Sequence, residues 1–243
     1  MSTFFSDFRA AHSKSLAFAA VLPVVAAIPL VAEFFQHVVE MNIGMYAGPD
    51  AAEAAAENTD RLNAGFLKTL ALSLPAYFFI RWLNSGGDKA EASRLDGKAV
   101  RLFTLVLALQ ALLTWLSLYV WTEGAMAIGF FVFSLIFMPL VARFVVAAPL
   151  GMLVSPLQSI RAMLPHALYA IIFPLVTVLP LMALHYALGI GAIFVPGEGL
   201  KWTMMVVDSF VTAWLALVMI AAQYTIALRP GPIAQSTEQR QPA

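Results

Sequence analysis

The sequence predicts an all-α membrane protein, a polytopic bundle of six transmembrane helices, and three observations carry the prediction. Hydrophobic residues make up 61% of the chain and charged residues only 12%, where a soluble domain carries about 25% charged residues. The few ionised residues fall in short clusters between apolar runs, and each run has about the 20 residues needed to cross a bilayer as one helix. The runs lack the short alternating pattern of an outer-membrane barrel.

The elements follow in order. Residues 2–13 place Phe4, Phe5 and Phe8 on one helical face, which suits a short helix in the membrane interface; the alternative is a frayed start to the first span. Span one, 15–40, runs far past the length of a signal-peptide core and is read as uncleaved. A loop with Asp50, Glu53, Glu57 and Asp60 leads to span two, 64–83, which ends at Arg81 and Trp82. Span three, 99–121, follows a polar loop, and span four covers 125–147. Residues 148–165 hold Pro149, Gly151, Pro156 and Pro165. Proline lacks a backbone donor and clashes with the preceding turn, so this piece cannot continue span four straight. Span five is 166–190 and span six 203–228. These make one domain, 1–228. The tail 229–243, with Pro230, Pro232 and Pro242, is expected to be disordered.

Orientation follows from the basic residues. With the N-terminus inside, 11 of the 14 Lys and Arg lie on the inner side and 3, Arg61, Lys68 and Lys201, on the outer. Both termini are therefore expected in the cytoplasm, in a bacterial inner membrane. Trp82, Trp121 and Trp202 sit at span ends, where amphipathic rings prefer to lie. The 14 basic residues balance 14 acidic ones, so net charge implies no nucleic-acid partner. The absence of cysteine excludes disulfides, thiolate metal sites and cysteine-held clusters.

Ionisable groups inside a span cost roughly 2.5–3.5 kcal/mol each at a helix centre, so their depth is informative. Glu33, His37 and Glu40 fall at i, i+4 and i+7 and project from one face of span one. Lys68 in span two, His185 in span five and Asp208 in span six lie at a similar outer level. Tyr186 and Thr212 are placed to join them. The spacing predicts that Glu33, His37, Lys68, His185 and Asp208 converge on one outer-facing cavity that binds substrate. Three readings compete: pairing among themselves or with headgroups, a water-filled binding or proton-relay cavity, and a metal site. Two imidazoles and carboxylates suit zinc or iron, but the donors come from separate helices and lack HExxH spacing. A bis-histidine haem would need His37 and His185 to face each other across a wide pocket.

Other polar residues have simpler roles. Gln110, Thr114 and Ser117 form a stripe on span three that suits interhelical hydrogen bonding, or a translocation path. Arg143 and Arg161 are placed to bind lipid headgroups. Leu22-Pro-Val-Val-Ala-Ala-Ile-Pro-Leu30 matches Phe173-Pro-Leu-Val-Thr-Val-Leu-Pro-Leu181, as an internal repeat with broken helices would, or as the common prolines of membrane helices would. Ser155 and Ser159 lack a GxSxG context and a nearby histidine–carboxylate pair.

The stretch Arg143-Phe-Val-Val-Ala-Ala-Pro149, followed by Ser159-Ile-Arg161, resembles part of a class of uncharacterised six-span bacterial inner-membrane proteins. The same membrane domain precedes the hydrolase domain of some glycerophosphodiester phosphodiesterases. The resemblance covers residues 143–181. The arginine-to-proline interval is one residue longer here, and Met163 stands where the class has threonine. The chain holds no hydrolase domain, so the resemblance implies a six-helix envelope protein tied to lipid or export, with no phosphodiesterase activity.

The function expected is a non-enzymatic integral membrane protein that binds or moves a small solute or lipid, without a cofactor and with membrane lipids as its neighbours. The alternatives are a structural subunit packed against other membrane proteins and a metal-dependent membrane enzyme.

Overall fold

The structure, a computed structural model, describes residues 3–233, and among these every regular element is helical. In chain order the helices are α1 (Phe4–Val21), α2 (Pro23–Asn42), α3 (Pro49–Ala55), α4 (Thr59–Ser73), α5 (Ala76–Asn84) and α6 (Lys89–Ser93). They continue as α7 (Gly97–Tyr119), α8 (Gly124–Leu140), α9 (Ala142–Ala147), α10 (Pro156–Met163), α11 (Ala167–Phe194) and α12 (Glu198–Ala227). Five helical stretches are long and apolar enough to cross a membrane: 23–42, 59–84, 97–119, 156–194 and 198–227. The bent pair α8–α9 with the turn after it makes a sixth if it counts as one span.

The first expected span is divided. Leu22 leaves the helical region (φ −129°, ψ 63°), and Pro23 opens α2 at its first turn, where the missing proline donor costs nothing. The N-terminal helix therefore runs to Val21, well past the expected 2–13, and packs as its own element on α12, α2, α11 and α5. The nine-residue internal match loses its structural parallel for the same reason. Pro23 starts a helix, whereas Pro174 lies inside α11.

Residues 148–165 do break span four. The break begins earlier, at Val141, where α8 and α9 meet at 56°, two residues after Pro139. Ser159 staples this corner: its hydroxyl donates to the Leu140 carbonyl at 2.9 Å and accepts from the Arg143 and Phe144 amides at 3.1 and 3.3 Å. Gly151 then turns the chain in the left-handed region (φ 70°) with Ala99 and Asp96 close against it. Ser155 and Gln158 form a reciprocal capping box that starts α10.

α12 is the centre of the molecule. It packs on α11, α2, α1, α5, α9 and α4. Two ends of the bundle are defined by contacts. At the upper end Lys201 donates to the Tyr46 carbonyl and Tyr119 to Asn63. At the lower end Tyr169 donates to Asp7 at 2.6 Å, and Arg229 lies 3.8 Å from the same carboxylate. Asp96 caps α7, and the Ala99 amide it accepts holds its carboxyl below the usual carboxylate range.

Candidate functional site

Four helices bring ionisable side chains together in the upper half of the bundle. On α2 the i, i+4, i+7 spacing lines up Glu33, His37 and Glu40, all buried. α12 lies against this face and contributes Asp208, which is 0% exposed. α11 supplies His185 and α4 supplies Lys68 from the flanks.

The five residues expected to converge do so through direct contacts. Lys68 Nζ lies 3.1 Å from Glu33 Oε2. Glu33 Oε1 lies 3.3 Å from His37 Nε2, and the same nitrogen lies 3.0 Å from Asp208 Oδ2. His185 Nδ1 lies 2.8 Å from Asp208 Oδ1, with the Thr212 hydroxyl 3.1 Å away. The other imidazole nitrogen of His37 faces Glu40 Oε2 at 3.2 Å.

Three participants were not foreseen. Gln36 donates to Glu40 Oε1 at 2.8 Å, Tyr46 donates to Glu40 Oε2 at 2.7 Å, and Arg61 Nε lies 3.3 Å from Glu40 Oε1. Gln36 was readable, since it stands at i, i+4 to Glu40. Tyr46 belongs to the connection after α2 and Arg61 to the first turn of α4, and both meet Glu40 through the tertiary fold, which no sequence spacing reveals. Burial and the nearby Glu40 carboxylate push the Tyr46 hydroxyl far above its usual range, so it stays a donor.

One expectation is corrected. The site is not an outward-opening cavity: Glu33, His37 and Asp208 are 1%, 3% and 0% exposed and contact one another directly. A pocket of about 320 Å3 lies beside the cluster, lined by Phe35, Val39, Asp60 and Leu67 among others, and by none of the five. Lys68 and Arg61, partly exposed members of the cluster, pair with Glu33 and Glu40. Tyr186 stays exposed on α11, whereas Thr212 is buried in the cluster.

The arginines read as headgroup ligands differ from each other. Arg161 is exposed. Arg143 instead spends its guanidinium on backbone carbonyls: Ala227 and Gly231 at 2.8 Å and Pro232 at 3.0 Å. Residues 229–233, the start of the tail expected to be disordered, are thereby held against α9; the rest of that tail lies outside the described residues. In the stripe on α7, Gln110 donates to Ser73 of α4 at 2.5 Å, while Ser117 returns to its own helix at Thr114.

The chemistry of the cluster can be read from its hydrogens and charges. A neutral imidazole has one donor nitrogen and one acceptor nitrogen. Both nitrogens of His37 face carboxylate oxygens, and the Tyr46 hydroxyl, 3.3 Å from Nδ1, donates to Glu40 instead. The arrangement therefore calls for an additional proton, and an imidazole is a stronger base than a carboxylate and takes it. The charges agree. Glu33, Glu40 and Asp208 bring three negative charges, and Lys68 and Arg61 bring two positive ones. Glu33, His37 and Asp208 also offer three donor atoms within 4.8 Å of one another, as a divalent cation would use. With both imidazoles neutral, such an ion leaves the cluster at +1, whereas one proton leaves it neutral. Uncompensated buried charge costs several kcal/mol, so the arrangement suits the proton.

The chain was compared with family models, curated proteins and solved structures, and none matches it.

Proposed function

We propose that this is a six-span protein of a bacterial cytoplasmic membrane, with both termini inside, that binds and moves a small solute through the buried cluster, and that this solute is the proton. The observation that carries the reading is the double requirement of His37: carboxylates on both ring nitrogens, and a cluster one positive charge short. The cluster also holds an acceptor awaiting a donor, since the Gln36 carbonyl oxygen is buried with no hydrogen-bond partner among the described residues. A water carrying a proton supplies such a donor. The α2 face is the upper, external end in this orientation, and protons reach it past Lys68 and Arg61.

The orientation rests on the 11-to-3 distribution of basic residues. Reporter fusions after Ala52, Asp88, Glu198 and Gln235 should read outside, inside, outside, inside; an external Asp88 reverses the assignment. The function is tested in proteoliposomes with an entrapped pH dye and an imposed pH gradient. The wild-type protein should dissipate the gradient at least tenfold faster than empty vesicles, and Glu33→Gln and Asp208→Asn should remove that activity without lowering expression. A wild-type rate equal to that of empty vesicles rejects the reading and favours a structural subunit. Stoichiometric metal in the purified protein favours a metal site at Glu33, His37 and Asp208.

A further inference from the structure

The upper cluster accounts for two of the chain's four histidines. We infer that a third, His12 on α1, is a second proton-binding station, separated from the cluster by an apolar plug between α11 and α12. The inference rests on the proton reading of the cluster.

His12 is half-buried, and its Nε2 lies 3.1 Å from the Thr177 carbonyl of α11. A carbonyl only accepts, so Nε2 carries the hydrogen and Nδ1 remains to take up or release a proton. The groups around the ring come from three helices. α1 contributes Phe8, whose ring centroid is 4.6 Å away, α11 contributes the Thr177 carbonyl, and α12 contributes Trp214, edge-on at 5.5 Å. The charged residues nearest on α1 are Asp7, Arg9 and Lys14. Asp7 is committed to Tyr169 and Arg229, and Arg9 and Lys14 are exposed.

An independent observation lies beside the ring. The Trp214 indole N–H is buried and has no hydrogen-bond partner among the described residues. Such a donor costs about 1–3 kcal/mol if it stays unpaired. A water between it and His12 Nδ1 would satisfy both, and a water in that position is also the carrier that delivers a proton to Nδ1.

The register places this station below the cluster. Thr177 is eight residues before His185 on α11, about 12 Å at the helical rise, and Trp214 is six residues after Asp208 on α12, about 9 Å. The interval holds Leu181 and Val211, both buried, with Val178 and Met182 packed beside them, and Leu215 and Val218 continue the same apolar cluster at and below the level of Trp214. A proton crosses such apolar packing only when waters enter. The plug therefore insulates the two stations at rest. α11 carries Pro174 and Pro180 on either side of Thr177, and each removes a helical hydrogen bond, so the helix can bend where the plug must part. From His12 the route leads down α1 to Asp7, Tyr169 and Arg229 at the lower end.

The test uses the full chain in proteoliposomes. His12→Gln keeps a donor for the Thr177 carbonyl but cannot titrate, and should lower proton flux at least tenfold. NMR of ring-labelled histidine should still show His37 with both nitrogens protonated. Leu181→Ser should raise flux severalfold by wetting the plug. His12→Gln with wild-type flux overturns the inference and leaves the proton reading of the cluster intact. Wild-type protein without flux, or His37 without its extra proton, rejects the underlying reading instead. If His12→Phe lowers flux and His12→Gln restores it, His12 is a packing residue and the second station is rejected.

Discussion

α12 and α8 are both strongly apolar helices, and they occupy opposite situations. α12 buries fifteen residues, among them Asp208, Ser209 and Thr212, and small residues such as Ala213, Ala216, Ala221 and Ala222. α8 buries none, and Met126, Ile128 and Phe131 are 61%, 67% and 66% exposed. In lipid, overall apolarity does not distinguish these cases, because hydrocarbon is as good a solvent for leucine as another helix is. Small and polar residues decide instead, since they let backbones approach and they need partners. The helix that carries Asp208 becomes the hub for the cluster, while the helix that carries phenylalanines faces outward.

The contrast is easiest to break at Asp208. Replacing it with alanine removes the acceptor of both His37 and His185, and breaking a buried pair costs about 3–5 kcal/mol. On α8, Phe131→Ala should change stability by less than about 0.5 kcal/mol. Unfolding in detergent micelles, followed by tryptophan fluorescence, compares the two. Equal losses would mean that α8 is buried against a partner and that the comparison is mistaken.

A gentler test probes space rather than charge. Ala222 is 0% exposed at the core of α12. Ala222→Leu should cost about 1–3 kcal/mol by overpacking, whereas Val132→Leu on α8 should be neutral in the same assay. The smallest effect concerns pH and lies outside the spans. Asp96 is held below its ordinary value chiefly by the Ala99 amide, so the folded state favours its ionised form. Its contribution is complete above the unfolded value, about 4, and is lost as pH falls through the lower folded value. Asp96→Asn should remove that small acid-dependent part of the unfolding midpoint.

Much of the membrane architecture was legible in the sequence, because apolar length and charge spacing survive without tertiary information. The cluster was legible for a related reason. Ionisable groups in apolar helices must find partners, and residues at one depth on neighbouring helices find each other. Helix breaks were legible only in part. Prolines near 148–165 announced one, but the corner sits at Val141, held by Ser159, whose staple joins residues 15 to 19 positions apart and leaves no local pattern in the sequence. The division at Leu22 was hidden because Pro23 can sit inside a membrane helix or start one. Closure of the site was not legible either. It depends on Tyr46 returning from the connection after α2 and on Arg61, in the first turn of α4, treating Glu40 rather than a headgroup as its partner.

The claim that the cluster holds one proton beyond its ionised carboxylates and neutral imidazoles has a direct test in the ring nitrogens of His37. NMR of ring-labelled histidine at neutral pH, on the wild type and on Asp208→Asn, reads their state. The account predicts that both His37 nitrogens carry hydrogen in the wild type. In Asp208→Asn two carboxylates already balance Lys68 and Arg61, so His37 should be neutral there. A neutral His37 in the wild type, or an imidazolium that persists unchanged in Asp208→Asn, would contradict it.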